Sequence, residues 1–319
     1  MREALEENQV VLYFAAVVLA ALAAFSVPGT TSLEPAINPA LALMLFVTFL
    51  QVPVSDLRRS FSQFRFLGVL LLANFVLVPC IVAVLVYFLP EDPMLRLGVL
   101  LVLLTPCIDY VVTFSHLGRA DARLLLAATP ILLIVQMIAL PFYLGFLLGA
   151  DVASLVQAGP FVHAFVWLIA IPLALAILVQ LLAKKSKAAE KATSVLGLLP
   201  VPATALVLFV VVASVLPQLG PAVEAALTVL PLYVAFAALA PAAGWMSSRL
   251  FGLASEEGRA VAFSTATRNS LVVLPLALAV PGAVPVLPAV IVTQTLVELL
   301  SELVYVRVMP LLGRRAVAS

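Results

Sequence analysis

Apolar positions in this chain do not alternate with polar ones at a strand or a one-sided helical period. They run on with little interruption for about 20 residues at a time. A helix needs about 20 apolar residues to cross roughly 30 Å of hydrocarbon, so runs of this length predict membrane-spanning helices. Ten such runs stand out, at about 10–28, 37–54, 65–89, 95–117, 122–149, 161–183, 196–217, 223–250, 259–280 and 285–311. The short breaks between them carry turn or charge signals, among them Pro28-Gly29, Pro90-Glu91-Asp92-Pro93, Gly118-Arg119 and Ser255-Glu256-Glu257-Gly258. The predicted class is an all-α integral membrane protein with ten transmembrane helices.

Composition strengthens this reading and removes alternatives. Hydrophobic residues are 64% of the 319 and charged residues 10%, with a mean hydropathy of +1.22. A soluble domain needs far more polar surface, so the lipid bilayer is the solvent for most of the chain. Cys80 and Cys107 both lie in apolar runs, which argues against a disulfide framework. Residues 1–9 carry Glu3, Glu6 and Glu7 against Arg2, the wrong charge for a secretory leader, so the first run is expected to be a retained helix.

The net charge of +1 conceals an uneven distribution. Of the 17 Lys and Arg, 15 fall at the chain ends or at alternate connections: Arg2, Arg58, Arg59, Arg65, Arg119, Arg123, Lys184, Lys185, Lys187, Lys191, Arg249, Arg259, Arg307, Arg314 and Arg315. Basic connections stay in the cytoplasm, which predicts a multi-pass protein of the cell membrane with both termini cytoplasmic.

A shift of 163 residues lays Pro39-Ala-Leu-Ala-Leu-Met-Leu-Phe-Val on Pro202-Ala-Thr-Ala-Leu-Val-Leu-Phe-Val, with seven of nine positions identical, and Arg96 on Arg259. The shift spans five helices, an odd number, so the second copy would enter the membrane from the opposite face. Two inverted five-helix repeats, 1–150 and 151–319, are therefore expected, with a site near the midplane between the halves.

The fourth and ninth runs are interrupted at equivalent places. The fourth reads Leu104-Thr105-Pro106-Cys107-Ile108-Asp109-Tyr110, and the ninth Thr265-Ala266-Thr267-Arg268-Asn269-Ser270 with Pro275 beyond. Proline removes a backbone donor in mid-span. Charges and amides in lipid belong in the bundle interior, where irregular backbone can meet ions and polar cargo. Cys107, Asp109, Arg268 and Asn269 are thus candidate cargo-binding residues. The tenth run adds Gln294, Glu298 and Glu302 at four-residue spacing on one face. Glu298, near the middle of its helix, is expected to pair with Arg268, take up a proton or hold a coupling cation, with Gln294, Ser270 and Thr267 beside it. Glu302, nearer the cytoplasmic end, either snorkels or lines the exit.

Thr105-Pro-Cys-Ile-Asp-Tyr-Val followed by Leu117-Gly-Arg-Ala-Asp121 resembles the A-P-C-x-x-M-V and L-x-x-G-D segment of the arsenical-resistance permeases. These are arsenite carriers within the bile acid:sodium symporter superfamily, and Leu296-Val297-Glu298 resembles the L-I-E of their last helix. The resemblance implies ten helices in two inverted repeats, with helices 4 and 9 broken and crossing. It also implies that Cys107 engages trivalent arsenic as a thiolate, the reactive form of cysteine. The family's S-N-N-F-E stretch is replaced here by Thr267-Arg-Asn-Ser-Leu271, which loses an acid and gains Arg268. Either Asp109 and Arg268 pair in its place, or Arg268 receives an anion, since a guanidinium suits planar oxyanions.

Two functions from the same class follow. One is proton-coupled efflux of arsenite or a related metalloid, with Glu298 exchanging the proton. The other is sodium-coupled symport of a small organic anion, with Thr265, Thr267, Asn269, Ser270, Gln294 and Glu298 as oxygen ligands. An enzyme is not expected: His116 lies nine residues after Cys107, about 13 Å along a helix, and no HExxH or phosphate-loop pattern occurs. No cofactor and no nucleic-acid partner are expected.

Overall fold

The computed structural model describes residues 8–51, 63–108, 110–148, 163, 166–218, 220–278 and 280–313. Several expectations fall outside them: Asp109, the basic residues Arg2, Arg58, Arg59, Arg314 and Arg315, and the 150/151 boundary between the expected repeats.

The described residues are helical almost throughout. In chain order the helices are α1 Gln9–Ser26, α2 Ile37–Leu50, α3 Phe64–Tyr87, α4 Pro93–Leu103, α5 Tyr110–Leu117, α6 Ala122–Leu148 and α7 Val166–Ala183. They continue with α8 Lys187–Leu196, α9 Pro200–Val215, α10 Val223–Leu250, α11 Ser255–Ala266, α12 Ser270–Leu278 and α13 Val286–Val308. Eight helices among the described residues are long and apolar enough to cross a membrane: α1, α2 with the turn before it, α3, α6, α7, α9, α10 and α13. They fall on eight of the ten apolar runs. The other two runs, the fourth and the ninth, are each divided, into α4 and α5 and into α11 and α12.

Two compact units partition the chain, each drawing on both halves of the sequence. One comprises Met1–Ser55, Ser154–Ala225 and Leu271–Val292; the other comprises Asp56–Ala153, Ala226–Ser270 and Thr293–Ser319. In the first, α9 packs against α1 and α2, and Ala20 meets Val212 and Ala213 with Phe209 and Leu33 around them. The small residues let α1 and α9 approach closely, the usual basis of helix association in lipid. Gln180 of α7 donates to the carbonyl of Phe49 at 3.2 Å, satisfying an acceptor that the end of α2 leaves open. Outward positions such as Val18, Leu19, Leu22 and Phe25 are exposed and apolar, as a lipid-facing surface requires.

In the second unit α11 packs on α3, α5 and α6. Gly244 of α10 lies against α11, where a Cβ would come within 3.0 Å of the Ala262 Cα, so only glycine permits this approach. Pro79 inside α3 and Pro241 inside α10 each remove a donor, and a tyrosine from another helix replaces it. Pro79 cannot serve the carbonyl of Phe75, which accepts from the Tyr143 hydroxyl of α6 at 2.5 Å. Pro241 cannot serve the carbonyl of Ala237, which accepts from the Tyr305 hydroxyl of α13 at 2.5 Å. In lipid no water can fill such a vacancy, so the cross-helix hydroxyl is what makes the proline tolerable.

Substituting Tyr305→Phe is therefore expected to destabilise the protein by about 1–3 kcal/mol. Adding Pro241→Ala, which restores a helical amide for Ala237, should remove most of that loss. Thermal unfolding of the single and double variants in detergent measures both; equal stability losses in the two would contradict the assignment.

Candidate functional site

The site forms where the two divided helices meet. Asp92 caps the start of α4 by accepting from the Leu95 amide at 2.8 Å, and Pro93 fits the first turn. The helix stops at Leu103 because Pro106 biases Thr105 away from helical backbone. The Thr105 hydroxyl turns back onto the carbonyls of Leu101 and Val102, both at 3.0 Å, so part of the open helix end is satisfied locally.

No proline ends α11; side chains do. Thr267 is extended, at φ −98° and ψ 127°, and its hydroxyl bonds the Phe263 carbonyl at 2.8 Å. In an uninterrupted helix the amides of Arg268 and Asn269 would serve the carbonyls of Ser264 and Thr265. Here the Arg268 guanidinium takes over that task, with Nη2 at 2.5 Å from Ser264 O and 2.6 Å from Thr265 O. The freed backbone amides point elsewhere. Arg268 N donates to Glu298 Oε2 at 2.6 Å, and Asn269 N donates to Thr105 O at 2.8 Å.

That last bond has a reciprocal, Cys107 N to Thr267 O at 3.0 Å. Pro106 and Arg268 thereby form an antiparallel bridge between the two unwound segments. Cys107 and Asn269, chosen from sequence as cargo-binding candidates, flank this bridge in equivalent positions. The Cys107 thiol is buried, whereas Cys80 is exposed. Asn269 is 1% exposed, yet neither its carboxamide oxygen nor its nitrogen has a partner among the described residues.

Three donors converge on Glu298 of α13: the Tyr110 hydroxyl on Oε1, and Arg268 N together with Gln294 Nε2, at 2.5 Å, on Oε2. The expected partnership of Glu298 with Arg268 thus runs through the backbone amide. The guanidinium donates instead to neutral oxygens: the two α11 carbonyls, Asn74 Oδ1 at 2.9 Å and Leu103 O at 3.4 Å. Its Cζ stands 5.6 Å from the centre of the Phe236 ring. Ser270 accepts from the Thr295 hydroxyl at 2.9 Å, and Thr267 donates to Glu302 Oε1 at 2.6 Å. Glu302 is fully buried rather than snorkelling, and its Oε2, like Gln294 Oε1, lacks a partner among the described residues. A water-sized cleft opens beside Gln294 and Glu298, bordered by Tyr233, Phe236 and Tyr305.

Sequence reasoning overlooked Asn74 and Tyr110. Asn74 lies in a π turn, Ala73–Leu77, and its amide nitrogen also donates to Leu70 O at 3.1 Å and to Ser264 Oγ at 2.9 Å. Such turns often mark functional positions, and a lone amide inside the third apolar run was the available signal. Tyr110 carried no comparable signal, because a tyrosine beside a helix break is ordinary in apolar segments. Among the described residues no three His, Cys, Asp or Glu side chains gather as a metal site.

A family profile described as "Sodium Bile acid symporter family" matches residues 38–219, more than half of the chain. No curated protein matches the sequence. The chain belongs to the sodium bile acid symporter family, a family of membrane transporters; the matched stretch includes the first break at Pro106 and ends before α11 and α13.

Because Asn74 holds both the guanidinium and Ser264, Asn74→Leu should destabilise the fold by about 1.5–3 kcal/mol, the range for a hydrogen bond to a charged group. Asn74→Asp, which keeps the acceptor, should cost less. Denaturation of both variants in detergent decides; a Leu variant as stable as the parent would show that Asn74 does not hold the guanidinium.

Proposed function

We propose that this member of the sodium bile acid symporter family is a proton-coupled efflux carrier for arsenite or a related trivalent metalloid. The observation that carries the reading is the placement of Cys107 and of the partnerless Asn269 carboxamide on either side of the Pro106–Arg268 bridge. A buried thiol offers a soft ligand, and a buried amide without a partner points to a guest that supplies one. Glu298 and Glu302 are assigned the proton exchange. Glu302 joins Glu298 because it too is buried and keeps an oxygen unmet. Asp109, next to Cys107 in sequence, is assigned to the cargo side.

The architecture proposed for this carrier is ten helices in two inverted repeats, 1–150 and 151–319, with both termini in the cytoplasm. Contacts inside the second unit support the repeat. Phe75, Pro79 and Tyr143 stand 162 residues before Ala237, Pro241 and Tyr305, and the two trios make the same contact. Thr105, Pro106 and Cys107 stand 162 residues before Thr267, Arg268 and Asn269, and their two backbone bonds exchange under that shift.

The family's description is equally compatible with a second reading, sodium-coupled symport of a small organic anion, in which Cys107 has no part. The two readings separate in one experiment. Expression in a strain lacking its arsenite permease should restore arsenite resistance, and Cys107→Ser, Glu298→Gln and Glu302→Gln should each abolish it at unchanged protein level. An intact, well-expressed chain that confers no resistance would eliminate the metalloid reading. Resistance that survives Cys107→Ser would eliminate the role given to the thiol.

A further inference from the structure

The first halves of the two divided helices both end inside the second unit, at Leu103 for α4 and Ala266 for α11. Carbonyls at a helix C-terminus carry the negative end of the macrodipole, and in secondary carriers such half-helix ends, with unwound backbone, hold the coupling cation. Leu103 O, Ser264 O and Thr265 O form such an end here, and Asn74 Oδ1 from α3 completes a set of four hard oxygens. This donor chemistry suits the sodium ion that the family's description names.

The geometry does not. All four oxygens already face one cation, the Arg268 guanidinium, at 2.5, 2.6, 2.9 and 3.4 Å. Arg268 is fully buried, and Phe236 covers its guanidinium from one side. A sodium ion would have to displace the guanidinium from its acceptors, and would meet its charge at short range in a medium of low dielectric. The guanidinium cannot deprotonate to make way, nor can it leave with the cargo.

We propose that Arg268 is a tethered cation standing permanently in the place of a coupling sodium, so that this carrier binds no sodium at the ends of α4 and α11. The inference rests on the reading of the chain as an ion-coupled carrier, and not on the cargo. It accounts for a guanidinium directed at neutral oxygens and not into a cargo site. It also leaves the buried carboxyls of α13 as the groups that couple transport to an ion gradient.

The test needs no substrate. Thermal unfolding of the purified full chain in detergent is followed in sodium chloride and in choline chloride at matched ionic strength. A ligand that binds only the folded state raises the midpoint in a saturable way. The intact protein should melt within about 1 °C in the two salts, a shift too small for a bound stabilising ion. Arg268→Ala should melt lower in choline and recover by roughly 3 °C or more as sodium fills the vacated oxygens. Arg268→Lys, which keeps a tethered cation, should remain indifferent to sodium. Saturable, sodium-specific stabilisation of the intact protein would overturn the proposal, as would a folded Arg268→Ala that responds equally to both salts. If Arg268→Ala is recovered in neither salt, the intact protein's response decides. Sodium indifference combined with absent arsenite resistance would sink the cargo and leave the tethered cation standing.

Discussion

Everything in the second unit depends on how two gaps in helical hydrogen bonding close each other. In hydrocarbon an unmet amide or carbonyl costs several kcal/mol, so a broken helix survives only if protein supplies its partners. The segments at Pro106 and Arg268 supply one another's, through Cys107 N to Thr267 O and Asn269 N to Thr105 O. Neither break is stable by itself. Together they set two stretches of buried non-helical backbone side by side, with Cys107 and Asn269 on either side of the bridge, an arrangement that a pair of continuous helices cannot offer.

Arg268 extends the same logic from backbone to side chain. Its guanidinium substitutes for amides that the break has turned away, and its own amide is spent on Glu298. One residue therefore ends α11, ties it to α4 and α3, and anchors the carboxylate of α13. Burying that charge is costly, and the set of oxygens around it is what repays the desolvation. Pro79 of α3 and Pro241 of α10 follow a milder version of this rule, each losing one donor and recruiting one tyrosine hydroxyl.

For a transporter these are useful constraints. A centre held by cross-segment bonds is fixed in its backbone, while side-chain atoms of Asn269, Gln294 and Glu302 have no partner among the described residues. The buried charge of Arg268 is held by neutral oxygens, while Glu298 of α13 gathers three donors and Glu302 keeps one oxygen unmet among the described residues. The four oxygens that would suit a sodium ion face the Arg268 guanidinium in this chain.

Much of this was legible in the sequence. Hydropathy marked eight helices as long apolar runs, because spanning length is a one-dimensional property. Pro106, and a cluster of polar residues at 265–270, marked the two breaks, because a missing donor and a buried charge are costly wherever they stand. Arg268, Asn269, Gln294 and Glu298 stood out as candidates for the same reason, since polar groups inside apolar runs are costly, whereas Cys107 stood out by its place beside the Pro106 break and by the family resemblance. What remained hidden was direction. Glu298 receives the amide of Arg268 and not its guanidinium, Asn74 enters from a helix about 190 residues away, and Glu302 turns inward to Thr267. Charge and spacing state which groups need partners. Which donor reaches which acceptor is settled only when distant segments pack, since hydrogen bonds depend on ångström-scale position and angle that no local pattern encodes.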